Sequence, residues 1–122
     1  MARIEWGETI MNNVMDIEGQ KAVVTFDPEI GMFRGEFVSL SGGADFYATS
    51  VDGLEKEGRA SLQTYLDVCA ENGIEPLRNF SGKFNVRIPA ELHAAAVTAA
   101  KARQKSLNEW VGEAIERAAQ DG

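Results

Sequence analysis

Hydrophobic and polar positions follow two periods along this chain, and the switches between them divide it. Residues 22–26 (Ala-Val-Val-Thr-Phe) are rich in the β-branched and aromatic types that favour strands. Asp27-Pro28-Glu29-Ile30-Gly31 follows as a turn, with proline setting one φ and glycine free to take a positive one. In residues 32–40, Phe33, Gly35 and Phe37 recur at period two with Arg34 and Glu36 between them, which makes the two runs a hairpin. After Ser41-Gly42-Gly43, residues 44–49 read as a further, central strand, and residues 13–17 as an edge strand. The period then lengthens. Ser50 can cap a helix whose stripe holds Leu54, Leu62, Tyr65, Leu66 and Cys69, and Asn72-Gly73 ends it. Gly53 and Gly58 weaken its first turns by about 1 kcal/mol each relative to alanine, unless close packing requires them.

A second block repeats the switch. Residues 83–88 (Lys-Phe-Asn-Val-Arg-Ile) alternate without a break, and Pro89 both ends the strand and suits a helix start. A helix over 90–103 is expected to place Leu92, Ala95, Ala96 and Ala99 on one side. Ser106-Leu107-Asn108-Glu109 is a capping box. The helix it opens carries Leu107, Trp110, Val111, Ala114, Ile115 and Ala118 at helical spacing. The whole reads as an α+β chain: residues 1–10 a flexible extension, 11–75 a small antiparallel sheet with a helix, 76–81 a linker, and 82–122 a strand and two helices.

One six-residue strand and two helices cannot cover their own apolar face, and a lone strand leaves its backbone unpaired. Antiparallel pairing with a second copy over four helices solves both problems. This ribbon-helix-helix dimer would bury Phe84, Val86, Ile88, Leu92, Leu107, Trp110, Val111 and Ile115. Lys83, Asn85 and Arg87 would point outward. A two-stranded ribbon fits the major groove, where Arg and Lys donate to guanine and Asn pairs with adenine. Ser106, Leu107 and Asn108 at a helix start, with Lys105 before them, offer donors and positive potential to a backbone phosphate. A solvated edge strand is the plainer reading of the alternation alone. The succession of strand, proline, helix, capping box and helix favours the ribbon.

Charge changes the picture. The net charge of −7 argues against nucleic acid until it is mapped. Residues 1–80 carry fourteen acids and six bases, whereas residues 81–122 carry five and six. Between 81 and 106 the bases are Lys83, Arg87, Lys101, Arg103 and Lys105, against Glu91 alone. The acidic half should favour a basic partner and the basic stretch a phosphate backbone. Lys101 and Arg103 could equally meet phosphate or keep their turn soluble.

Other chemistry is thin. One cysteine allows no internal disulfide, no Cys/His cluster could hold zinc, and no cofactor is expected. No apolar run approaches the roughly 20 residues of a membrane span, and no signal peptide is visible, so the expected location is the cytoplasm. His93 has no evident nucleophile or carboxylate partner and reads as solvated or interfacial. Asp16, Asp27, Asp45 and Asp52 could suggest a metal-dependent nuclease, but Asp27 and Asp52 have ordinary turn and helix-start roles, and no enzyme is expected. Cys69 reads as a core residue. Trp6 falls in the extension and takes no assigned role.

Residues 81–93 (Ser-Gly-Lys-Phe-Asn-Val-Arg-Ile-Pro-Ala-Glu-Leu-His) and 105–111 (Lys-Ser-Leu-Asn-Glu-Trp-Val) closely resemble the C-terminal domain of HicB-family antitoxins. Asp27 with Gly31-Met32-Phe33-Arg34-Gly35, and the helix end Tyr65-Leu66-Asp67-Val68-Cys69, resemble the same family's N-terminal part. Gly53 departs from it, standing where an acidic residue is usual, and residues 1–10 have no counterpart. The resemblance implies a partial RNase H-like N-terminal domain that masks the active site of a small, basic, HicA-like ribonuclease toxin, which cleaves messenger RNA. It also implies a C-terminal domain that binds operator DNA and represses the operon. The partners so implied are operator DNA, the toxin and further copies of the chain, with no membrane. A stand-alone ribbon-helix-helix regulator, whose acidic domain binds something else, is the alternative. A degenerate nuclease is a third reading.

Overall fold

The computed structural model describes residues 13–121, and these divide into two compact units, Asn13–Ser81 and the residues from Gly82 onward. Residues 1–10, expected as an extension, lie outside the described residues.

The first unit is a four-stranded antiparallel sheet in the order β1-β2-β3-β4, with one helix on one face. Its strands are β1 (Val14–Ile17), β2 (Gln20–Asp27), β3 (Met32–Phe37) and β4 (Asp45–Ala48), and its helix is α1 (Val51–Asn72). A two-residue loop joins β1 to β2, with Glu18 at φ 50° and Gly19 at φ 89°. Positive φ at both positions matches the twist of the flanking strands. Asp16 secures the loop, its carboxylate accepting from Gly19 N–H and from Lys21 Nζ, each at 2.8 Å. Those two donors hold the Asp16 carboxyl below its ordinary pKa, the Lys21 bond contributing most. The β2–β3 turn falls where the Asp-Pro-Glu-Ile-Gly run places it: Gly31 N–H donates to the Asp27 carbonyl, and Glu29 N–H to the Asp27 side chain.

Residues 44–49, expected as a central strand, form the edge strand β4. Each strand pairs with the next in a meander, and Ser50 diverts the chain into α1 before a fifth can follow. The strand expected over 32–40 ends at Phe37. Beyond it, the backbone of residues 39–41 pairs instead with residues 76–78: Leu40 bridges Leu77, Ser41 N–H donates to Pro76 and Arg78 N–H to Ser39. The stretch following α1 is thus tied to the sheet.

Alternation separates the sheet faces. Ile17, Ala22, Phe37, Phe46 and Ala48 are buried with Leu40, Leu54 and Leu62 in one core. The opposite face is charged, with Lys21 bound to Asp16 and Arg34 to Asp45 and Glu36. Gly35 is required by packing, because a Cβ there would stand 2.2 Å from the Phe46 ring. Gly58 similarly lets α1 approach Phe46 and Ile17, contacts a Cβ would make at 3.1 Å. The glycines that weaken α1 locally therefore serve its seating on the sheet. Ser50 Oγ accepts from Gly53 N–H at 3.0 Å to cap the helix, and Gly73 closes it at φ 65°, donating its N–H to Cys69. Cys69 is buried, as its place on the stripe requires.

The second unit contains α2 (Ala90–Ala102) and α3 (Leu107–Asp121), packed on each other. Residues 83–88, expected as a strand, form no ladder with another segment among the described residues. A ladder needs a second strand, and none of the described strands pairs with them.

Candidate functional site

The second unit leaves large apolar side chains exposed. Phe84, Val86 and Ile88 are 71%, 63% and 42% exposed, although their spacing places them on one side of the segment. They line a groove of about 550 Å³ with His93 and Ala96 of α2 and Leu107, Val111 and Ile115 of α3. The three α3 residues are four apart and form one stripe. Six of the eight side chains expected at a dimer interface thus meet in one apolar trough. Leu92 is exposed outside that lining, and Trp110 is half-buried outside it, with its indole Nε1 buried and without a hydrogen-bond partner among the described residues.

The face of α2 differs from the expectation. Ala96 and Ala100 are buried and Ala99 half-buried, while Leu92 and Ala95 are exposed. Small alanines admit α3 closely, so within one chain the bulkier Leu92 stays outside. The turn between the helices closes with Gln104 at φ 57°, and Lys105 N–H reaches back to the Ala100 carbonyl at 2.9 Å.

Lys83, Asn85 and Arg87 are exposed. Lys83 and Asn85 share a cleft of about 540 Å³ with Asn108 of α3, so two expected base readers and one expected phosphate donor adjoin. Arg87 lines neither cavity.

The capping box forms in both directions. Glu109 N–H donates to Ser106 Oγ and Ser106 N–H to Glu109 Oε1, each at 3.0 Å. The donation from Ser106 N–H holds the Glu109 carboxyl below its ordinary pKa. The Ser106 and Glu109 donors are therefore occupied, leaving the first-turn N–H groups of Leu107 and Asn108 facing outward along the helix axis. Lys105 is half-buried and its Nζ donates to Glu113, so its charge is shared inside the unit. Its partner eight residues on could not be read from local spacing. Lys101 and Arg103 are exposed.

The carboxylates weighed for catalysis have separate structural partners. Asp16 holds the first hairpin, Asp27 the second, Asp45 binds Arg34, and Asp52 lies in the first turn of α1. The Asp45 bond also pushes the Arg34 guanidinium above its ordinary pKa. Among the described residues no group of three or more His, Cys, Asp or Glu could hold a metal ion. No helix among them is long and apolar enough to cross a membrane.

Residues 65–115 match the model of the HicB family. The stretch runs from Tyr65 on the buried side of α1 to Ile115 on the groove stripe of α3, and over it the chain is similar to that family. No curated protein matches the chain, and no solved structure does.

Proposed function

We propose that this protein is a HicB-like antitoxin and autorepressor, without catalytic activity of its own. The observation that carries the reading is the open trough of Phe84, Val86 and Ile88 over Leu107, Val111 and Ile115. Two such segments, paired antiparallel, close two troughs at once. Each large apolar side chain covered contributes about 1.5–3 kcal/mol, ample for a ribbon-helix-helix homodimer. The pairing turns Lys83, Asn85 and Arg87 outward as a ribbon for the major groove of operator DNA. Leu107 and Asn108 N–H groups then serve as phosphate anchors. Lys105 contributes by positioning the α3 start through Glu113.

The acidic unit Asn13–Ser81, in this reading a partial RNase H-like fold, covers the active site of a small basic ribonuclease of the HicA kind. Opposite charge favours that encounter and its rate. The protein acts in the cytoplasm, needs no cofactor, and assembles as a dimer or a higher homo-oligomer.

Expression of a small basic reading frame adjacent to this one, with and without this protein in trans, tests the reading. Growth arrest relieved by the protein supports it; no toxicity, or toxicity without relief, refutes the antitoxin role. The family match leaves most of the sheet-bearing unit outside it. That favours, as second reading, a stand-alone ribbon-helix-helix regulator whose first unit binds a different partner.

A further inference from the structure

We propose that the groove between the outer edge of β4 and α1 takes an extended, basic segment of a partner protein by strand addition. The proposal rests on reading Asn13–Ser81 as a partner-binding unit and assigns the surface by which it binds.

Among the described strands β4 pairs with β3 alone, on one side. Its other side borders a groove of about 600 Å³ lined by residues 43–47 and by Glu57, Ala60, Ser61, Thr64, Tyr65 and Val68 of α1. Those helix positions recur at three and four and form a single face. Ser61 Oγ donates to the Asp45 carbonyl, which therefore points away from β3 toward the helix. Backbone direction alternates along a strand, so the N–H and carbonyl of Tyr47 also point outward. At 3.5 Å the Ser61 bond is weak enough for a strand N–H to replace it. An exposed edge of this kind is a template for another chain.

The walls state what that chain is like. Ala60 and Ser61 are small and leave room for a backbone. Tyr47 and Val68, 41% and 46% exposed, offer apolar contact to alternate side chains. Glu57 is exposed at the rim and has no cationic partner among the described residues; Arg59 pairs with Glu55 instead, and the Asp45 carboxylate is held by Arg34. A segment alternating apolar residues with Lys or Arg meets these features. A second copy does not: edge-to-edge pairing of β4 would oppose two Glu57 carboxylates on two acidic units.

The test is NMR titration of the full-length protein with a synthetic peptide of alternating lysine and valine, with the glutamate–valine analogue as control. The expected result is saturable shifts confined to the amides of residues 43–47 and 57–68, weakened by salt and absent with the control. Ala60→Trp, on the exposed side of α1, fills the groove and should abolish binding with the fold intact. Glu57→Lys should weaken binding about fivefold to tenfold. Absence of shifts, shifts elsewhere, or unchanged binding to Ala60→Trp overturns the proposal. So does an Ala60→Trp protein that dissociates into smaller oligomers, since a copy of this chain then occupies the groove. Growth rescue by Ala60→Trp at the level of the native protein would refute the groove and leave the antitoxin reading standing. Loss of rescue at all, with peptide binding intact, does the reverse.

Discussion

The two units solve the same problem, an apolar surface in water, in opposite ways. Asn13–Ser81 closes its surface internally: Phe37 and Phe46 of the sheet are buried against Leu54 and Leu62 of its one helix, and Gly35 and Gly58 are kept bare so that the layers meet. The unit from Gly82 onward leaves Phe84, Val86, Ile88, Leu107, Val111 and Ile115 as the lining of an open trough. One is a finished core with charges arranged around it. Among the described residues the other is left as an open apolar lining. Among its described residues the helices bury only alanines between them, and the homodimer proposed to cover the trough would make the stability of this unit depend on protein concentration.

The largest effects should separate the two. Phe46→Ala is expected to destabilise the first unit by about 3–5 kcal/mol, near its whole stability, without changing the dimer proposed for the second. Urea denaturation followed beside sedimentation velocity reads both quantities; loss of the dimer with Phe46→Ala would show that the units are not independent. Val86→Asp does the converse. It places a carboxylate in the trough and should convert the protein to monomer at micromolar concentration, with the urea midpoint of the first unit unchanged. A dimer that survives it would remove the ribbon.

A smaller, purely functional effect follows for the outward face. Lys83→Ala, Asn85→Ala and Arg87→Ala together should abolish specific operator binding, each lost base contact costing about 1–3 kcal/mol, and leave the dimer intact. Native affinity in a mobility-shift assay would mean that the polar alternation is only a solvated face.

The smallest effect belongs to the capping box. Ser106→Ala should cost about 1 kcal/mol in the second unit. Because Ser106 N–H holds the Glu109 carboxyl below its ordinary pKa, the stability added by the Glu109 carboxylate is complete above the ordinary glutamate value of about 4.3 and is lost as pH falls through the lowered one. Glu109→Gln, which can still accept from Ser106 N–H, should flatten that acid dependence in thermal melts followed by circular dichroism. An unchanged acid limb would place the proton elsewhere.

Much of this was legible residue by residue, because local signals act over three to five positions. Ser50, Gly73, the Asp27–Gly31 turn and the Ser106–Glu109 box each close a hydrogen bond or a positive φ within their own segment, so the residue types suffice to locate them. The α+β class follows from the switch of period. The charge split, too, is a property of the chain alone.

What the tertiary structure decided concerns partners distant along the chain. Only the meander order places residues 45–48 at an edge and opens a groove beside α1, since alternation looks alike in edge and central strands. Only packing explains Gly35, whose missing Cβ is set by a ring eleven residues away, and only packing turns Lys105 to Glu113 rather than to solvent. Of the expected α2 stripe, Ala96 is buried and Ala99 half-buried, with Ala100 beside them on the side that packs on α3, while Leu92 and Ala95 stay exposed. Sequence determines which faces are apolar; which of them close within the chain is settled by what the fold brings against them.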